Sequence, residues 1–119
     1  SDEGIRLVIE FEVGDPARFR EMAAAMVSAS EPEAGTLLYD WYCDDERGVG
    51  VLYEAYTDVE AVMTHALGPV FTEVAPEYED ALHISSVQVF GDAGELASDG
   101  DLLGAPTKWW GPSVSAVSR

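Results

Sequence analysis

The amino-acid sequence predicts a small α+β domain in which strands and helices follow the order β-α-β-β-α-β. Three observations lead to this prediction. The chain has 119 residues, the size of one ordinary domain. Its apolar residues alternate with a period of two in some segments and recur at helical spacing in others. Glycine, proline and acidic turn residues separate these segments.

The first half of the pattern contains a strand, a helix and a second strand. Residues 5–13 alternate between apolar and mainly polar side chains, which is typical of a strand. Asp15 and Pro16 then supply a helix N-cap and a favourable first helical residue. The helix is expected to end near Ser30, and a second strand is predicted over residues 35–43.

The second half repeats this arrangement. A polar turn predicts a hairpin that leads into a third strand over residues 49–56. A second helix is expected to begin after Asp58 and to be interrupted at Gly68-Pro69. A further helix is predicted over residues 70–78, and a fourth strand over residues 81–90.

The C-terminal residues differ in composition from the rest of the chain. Residues 93–119 are rich in Gly, Ser, Pro and Ala, with one short helical possibility near residues 95–98. This tail carries Trp109 and Trp110, which are costly to leave in water. We therefore expect a domain over residues 1–92 and a tail over 93–119 that packs on the body or on a partner chain.

The balance of charge excludes several kinds of partner. The chain has 23 acidic and 6 basic residues, a net charge of −17. Such a surface repels phosphate backbones and anionic lipids, so neither nucleic acid nor membrane is an expected partner. Because the acidic residues are spread along the chain, the acidity favours a halophilic adaptation to a salty cytosol over an acidic partner surface.

The sequence also indicates the compartment. It has no apolar stretch of about 20 residues that could span a membrane and no signal peptide, so a cytoplasmic location is expected. Cys43 is the single cysteine, which excludes an intrachain disulfide. We expect it to pack as a small hydrophobe.

Both faces of the predicted sheet carry apolar or aromatic side chains. Val8 adjoins Ile9, Tyr42 adjoins Trp41, and Tyr53 lies on the third strand. An antiparallel sheet with one solvated face would alternate more cleanly between apolar and polar residues. The sequence therefore predicts a homodimer in which the second face packs against another copy.

Three segments resemble the antibiotic biosynthesis monooxygenase (ABM) family. Residues 35–42 (GTLLYDWY) match a Gly-x-Leu-x-Tyr strand, and residues 51–56 (VLYEAY) match a Tyr-Glu-x-aromatic strand. Residues 57–61 (TDVEA) open a helix that carries His65 near its end. The resemblance covers about residues 5–91 and implies a ferredoxin-like sheet with helices on one face that pairs into a dimeric α+β barrel.

The resemblance also implies an activity. ABM-type enzymes oxidise electron-rich phenols, such as hydroquinones and anthrones, with O2 and without metal or flavin. The expected function is therefore a monooxygenase with no cofactor, which acts on a quinol or polyphenolic aromatic substrate. Such chemistry needs a base that deprotonates the substrate, donors that hold its oxygens, and a dry apolar pocket.

Three residues are the candidate catalytic groups. His65 is the best candidate base because imidazole titrates near neutrality, although a helix-end histidine can simply be satisfied by backbone or solvent. Glu54 and Tyr56 share one strand face. Burial beside aromatics would raise the pKa of Glu54 and let it shuttle protons, or it could be a structural carboxylate bonded to backbone or to an arginine such as Arg6. Tyr56 could hydrogen-bond a substrate oxygen or serve as a core aromatic.

Five further residues are candidates for substrate binding. Trp41 and Tyr39 share a strand face and could stack on a flat aromatic substrate, although core or interface packing explains Trp41 equally well. Met63 and Phe71 would be apolar lining. His83, expected on the fourth strand, could be a second polar group. No metal motif is present.

Two alternatives remain open. The first is a non-catalytic dimeric barrel that binds a small aromatic ligand or acts as an interaction module. The second, less favoured, is the haem-degrading variant of the same fold, because the first strand lacks that subgroup's Asn and Tyr56 stands where its aromatic is typically Trp. A closed apolar pocket holding His65 near Glu54 or Tyr56 would favour the monooxygenase, whereas a pocket filled by side chains would favour the module.

Overall fold

A five-stranded sheet forms the centre of the molecule. The structure is a computed structural model that describes residues 3–117 and 119. The sheet has the order β2-β3-β1-β4-β5; the first four strands pair antiparallel, and β5 lies parallel to β4. The strands are β1 (Ile5–Glu12), β2 (Thr36–Asp44), β3 (Val49–Tyr56), β4 (Ile84–Phe90) and β5 (Thr107–Trp109).

Two α-helices connect the strands, and each begins at an aspartate. Helices α1 (Pro16–Ser30) and α2 (Val59–Ala66) occupy the predicted positions, so the predicted β-α-β-β-α-β order is confirmed. The side chain of Asp15 accepts a hydrogen bond from the Arg18 backbone N–H at 3.1 Å. Asp58 accepts one from the Ala61 N–H at 2.8 Å. Both contacts satisfy backbone donors that a helix start leaves unpaired.

The segment after α2 is helical over the predicted residues, but it is not one continuous α-helix. Residues Val70–Val74 form a π-helical turn, in which the Ala75 N–H donates to the Val70 carbonyl, and Ala75–Tyr78 form a 3-10 turn. Pro76 explains the break, because a residue without an N–H cannot continue the α-helical ladder. The predicted helical segment over residues 70–78 is therefore present, but as a π-helical turn followed by a 3-10 turn.

The fourth strand begins later than predicted, and a fifth strand follows it. A turn that ends at Ala81 is closed by a hydrogen bond from the Ala81 N–H to the Tyr78 carbonyl at 2.9 Å, and β4 starts only at Ile84. A 3-10 helix at Gly94–Asp99 then leads to β5, which the sequence did not predict.

The two tryptophans of the C-terminal segment contact the body of the fold. The Trp109 side chain packs against the core, and its Nε1–H donates to the Gly100 carbonyl at 3.0 Å. Trp110 stacks on Phe90 with the ring centroids 6.1 Å apart. Both rings therefore bury part of their apolar surface against other groups.

The core lies between the sheet and the helices. Alternate residues of β1, from Ile5 to Phe11, are buried, and Phe11 meets Phe19 of α1 edge to face at 5.5 Å. On the opposite sheet face, Val8, Val51 and Tyr53 are only partly buried. No helix in the described residues is long and apolar enough to cross a bilayer.

Replacement of Gly50 by alanine tests the packing between sheet and helix. A Cβ atom at this position would overlap the ring of Phe19, which is buried. We expect Gly50→Ala to lower the free energy of unfolding by about 1–3 kcal/mol, measured by urea denaturation. Gly14→Ala is the matched control, because a Cβ there meets nothing within 4 Å. Equal stability of the two variants would contradict this packing.

Candidate active site

A cavity of about 260 Å³ lies between the inner face of the sheet, α2, the helical turns after α2 and the C-terminal segment. Five of its lining side chains carry a polar atom, and the other lining residues are apolar. The five are Tyr39, Trp41, Glu54, Tyr56 and His65. A ligand in this cavity would therefore meet polar groups only on part of its surface, as in most small-molecule sites.

Strand β3 places two of these groups side by side. Glu54 and Tyr56 are two residues apart, so both point toward the inner face of the sheet. The Glu54 side chain is buried, and the Tyr56 hydroxyl donates a hydrogen bond to its Oε1. Glu54 pairs across the sheet with Leu7 on one side and Tyr39 on the other. The carboxyl group therefore sits in a largely apolar wall.

Helix α2 supplies the third group. His65 is 4% exposed and is the one buried residue of this helix. Its ring packs against Tyr39, Tyr56 and Phe71 at centroid distances of 5.0, 5.5 and 5.5 Å. Its Nε2 lies 3.8 Å from Glu54 Oε1, slightly beyond hydrogen-bond length. A small movement or a bridging ligand atom could connect the two groups.

A second glutamate, which the sequence did not indicate, lies on the far side of His65. Glu33 Oε1 is 2.8 Å from His65 Nδ1, and it also accepts a hydrogen bond from Thr36 Oγ1 at 2.7 Å. A carboxylate at this distance favours a proton on Nδ1 and leaves Nε2 free to accept one. Glu33 lies between α1 and β2, where nothing in the local sequence distinguishes it from the exposed glutamates, but its side chain is only 9% exposed.

Burial shifts the pKa values of the cavity side chains. Desolvation raises the pKa of Glu54 to about 7; the nearby Glu33 charge acts in the same direction, and the hydrogen bond from Tyr56 opposes it. Desolvation and the Glu54 charge also raise the pKa values of Tyr39 and Tyr56 far above their usual range. Both phenols therefore remain neutral donors at physiological pH, whereas Glu54 titrates there.

The structure brings most of the predicted site residues to one place. The three candidate catalytic residues and four of the five candidate binding residues line the cavity. Trp41 packs on Phe11 and Phe19 at 5.3 and 5.6 Å, and its buried Nε1–H has no hydrogen-bond partner among the described residues.

His83 is the predicted binding residue that does not line this cavity. It precedes β4 and is exposed, and its Nε2 lies 2.7 Å from the Asp80 carbonyl. The expectation that it belongs to the fourth strand was wrong. Its carbonyl accepts a hydrogen bond from the Glu12 N–H at 2.9 Å, but the pairing with β1 shifts register between Glu10 and Phe11, and β4 starts only at Ile84. Within the described part of the chain, no group of three or more His, Cys, Asp or Glu side chains is arranged to hold a metal ion.

Comparison with known proteins identifies the family. The sequence profile of the antibiotic biosynthesis monooxygenase family matches residues 5–82, more than half of the chain. The chain belongs to the ABM family. Among curated protein sequences, none matches it significantly.

Solved structures share the fold at low sequence identity. MupZ from Pseudomonas fluorescens superposes with a TM-score of 0.78 at 18% identity, over 100% of this chain and 91% of MupZ. SnoaB from Streptomyces nogalater, described as a cofactor-independent oxygenase, has a TM-score of 0.65 at 20% identity, over 74% of this chain and 91% of SnoaB. Rv0793 from Mycobacterium tuberculosis has a TM-score of 0.59 at 23% identity, over 71% of this chain and 90% of Rv0793. These similarities confirm the α+β fold.

The raised pKa of Glu54 predicts how stability depends on pH. Below pH 4.5 the carboxyl is neutral in both folded and unfolded chains, so its burial carries no ionic penalty. Between pH 4.5 and about 7 the unfolded chain releases this proton while the folded chain retains it, so stability falls as pH rises. Glu54→Gln removes this loss. We therefore expect the free energy of unfolding of Glu54→Gln, relative to that of wild type, to rise by on the order of 3 kcal/mol from pH 4 to pH 8.

Denaturant titrations at several pH values measure this gain. Glu46→Gln, in the exposed turn between β2 and β3, is the matched control and should follow the wild type across the range. A constant difference between Glu54→Gln and wild type from pH 4 to pH 8 would contradict the raised pKa.

Proposed function

We propose that this protein is a cofactor-independent monooxygenase that oxidises a quinol or polyphenolic aromatic substrate with O2. The observation that carries the proposal is a buried carboxyl group with a pKa of about 7 at the wall of an aromatic-lined cavity. Such a group is half ionised near neutral pH and can take a proton from a weakly acidic substrate. The family membership and the fold shared with SnoaB support the same activity.

The proposed reaction begins with proton transfer to the Glu54–His65 pair. Either the Glu54 carboxylate or the neighbouring His65 Nε2 accepts the proton from the substrate O–H or C–H, and Glu33 orients the imidazole. The Tyr56 hydroxyl stabilises the carboxylate until that point. The surrounding apolar walls exclude water, which keeps the substrate anion reactive.

The substrate anion then reacts directly with oxygen. For an anthrone, the anion passes one electron to O2, and the two radicals combine to form a C–O bond. Protonation by the Glu54–His65 pair gives a hydroperoxide, which loses water as the second C–H proton departs. One oxygen atom enters the product as a carbonyl and the other leaves as water, so the reaction needs no further reductant.

The lining of the cavity bears on the alternatives. A non-catalytic carrier of an aromatic ligand would need the apolar walls but would gain nothing from a buried cluster of two glutamates and a histidine. Haem would require cations for its propionates. The described residues that line the cavity include no Lys or Arg. Both considerations favour the monooxygenase.

Oxygen uptake tests the proposal with anthrone and 1,4-naphthohydroquinone as substrates. We expect kcat/KM of the wild type to rise with pH to a plateau with a midpoint near 7, because the base must be ionised. Glu54→Gln and His65→Ala should each lower it by about 100-fold or more. Glu33→Gln should cause a smaller loss, because Glu33 acts only through His65.

Glu46→Gln serves again as the control and should retain full activity. Absence of enzyme-dependent uptake with both substrates would contradict the oxygenase. If Glu54→Gln and His65→Ala consumed oxygen as fast as wild type, the proposal that Glu54 and His65 accept the substrate proton would be contradicted.

We further propose that the protein is a homodimer joined through the outer face of the sheet. On this face, Val8 pairs with Tyr53 across the strands, and Val51 lies two residues before Tyr53 on β3. Tyr42 pairs with Val51 and is 58% exposed. Glu10 and Asp40 pair with Val51 and Tyr53 on the same face, so this apolar patch is bordered by carboxylates. A partly exposed apolar patch with a polar border is typical of a subunit interface.

Light scattering after size exclusion tests the dimer. We expect dimer mass for the wild type at micromolar concentration and monomer mass for Tyr42→Asp, which places a charge in the proposed interface. Leu67→Asp, at an exposed position after α2, is the control and should remain dimeric. A monomeric wild type would contradict the proposal.

A further inference from the structure

The C-terminal segment forms one side of the cavity. Residues 94–106, which we call the cover, contribute Leu96, Leu102 and Leu103 to the cavity wall. The cover follows the residues 5–82 that match the family profile. Part of the boundary of this cavity is therefore built by residues outside the portion on which the family assignment rests.

One residue of the cover also lines a second, more open recess. Leu103 borders this recess together with Phe71, Leu82 and Ile84, and the same four side chains line the cavity. These four side chains, which we call the neck, therefore lie between the cavity and the recess. Leu103 is 46% exposed, consistent with a position between the cavity and solvent.

The backbone at Leu103 is strained. Its φ is +56°, and no other non-glycine residue that the structure describes has a positive φ. This conformation is unfavourable for a bulky residue, and such strain persists only where the surroundings impose it. Glycine would adopt the same backbone without this cost. The leucine side chain is therefore present despite an energetic penalty, which points to a role for the side chain itself.

Hydrogen bonds hold the strained turn in place. The Leu102 N–H donates to Thr107 Oγ1 at 2.8 Å, and the Ala105 N–H donates to the Leu102 carbonyl at 3.0 Å. Thr107 belongs to β5, which is paired with β4. The sheet therefore fixes the backbone around Leu103, from which its side chain reaches the neck.

We propose that Leu103 is a specificity-determining residue, which sets the width of the passage between the recess and the Glu54 cavity. This inference rests on the proposed function. All four neck side chains are apolar, so the neck passes a neutral flat aromatic molecule more readily than a charged one. A shorter side chain at position 103 admits a broader ring system, and a larger one excludes it.

Three substitutions at Leu103 distinguish the effect of its side chain from the effect of its strained backbone. Leu103→Ala and Leu103→Gly both empty the neck, but only glycine also relieves the strain, so Leu103→Gly should unfold at higher denaturant concentration than Leu103→Ala. Leu103→Trp should narrow the neck. Leu67→Ala is the matched control, because Leu67 is 74% exposed and lines neither the cavity nor the recess.

Binding and turnover are measured with a two-ring and a three-ring compound. Binding of 1-naphthol and anthrone is followed without oxygen by quenching of tryptophan fluorescence in a stopped-flow instrument, and oxygen uptake is measured with 1,4-naphthohydroquinone and anthrone. Leu103→Ala and Leu103→Gly should each raise the association rate of anthrone relative to 1-naphthol by about 10-fold, the effect expected of small changes in an apolar pocket. Leu103→Trp should lower it, and kcat/KM ratios should change in the same direction.

The outcomes distinguish the neck from the proposed function. A changed binding ratio without oxygen uptake by any variant would support the neck and contradict the oxygenase. If oxygen uptake occurs but the association-rate and kcat/KM ratios of the three-ring and two-ring compounds are identical in wild type and all three variants, the neck is overturned and the oxygenase is supported. The neck would also be overturned if the anthrone-to-1-naphthol ratio of association rates changed in opposite directions in Leu103→Ala and Leu103→Gly. The same holds if Leu67→Ala changed this ratio as much as Leu103→Ala does, or if neither wild type nor any variant bound the two compounds.

Discussion

The carboxyl group of Glu54 is buried in an apolar wall, and much of the local structure is arranged around this unfavourable burial. A carboxylate in such surroundings is usually neutralised by an arginine or by several N–H donors. Here it receives one hydrogen bond, from Tyr56, and a second carboxylate lies close enough to oppose its ionisation. The protein therefore responds to burial by raising the pKa of the group. Stability is reduced at neutral pH, and a group that can exchange protons there is retained.

The elements around Glu54 explain how the fold maintains this arrangement. The β1–β3–β2 register places Leu7 and Tyr39 beside Glu54. Helix α2 is short, and its single buried residue is His65, which lies against three aromatic rings. Glu33 then binds the outer nitrogen of this histidine from a turn. Residues far apart in sequence thus form one chain of polar contacts in an otherwise apolar region.

Regular periodicity explains which parts of the structure could be predicted from the sequence. Strand alternation placed Glu54 and Tyr56 on one face, which the structure shows to be the inner one, and the aspartate caps located both α-helices. The π-helical turn was missed because its cause, Pro76, acts on a backbone register that apolar spacing does not reveal. Strand β5 has three residues, too few for a period. The Glu33–His65 pair spans 32 positions and the strained backbone at Leu103 lies in a turn, so both depend on tertiary packing that no local pattern records.

The ABM family and the fold define a scaffold, whereas the chemistry depends on the protonation of one side chain. Infrared difference spectroscopy measures that protonation directly, by comparing the carboxyl C=O band of wild type and Glu54→Gln as pH is varied. A band absent from Glu54→Gln that disappears from the wild type with a midpoint near pH 7 is the predicted result. A midpoint near 4.5, the value of an ordinary glutamate, would show that Glu54 is ionised throughout the neutral range and would contradict its role as the tuned base.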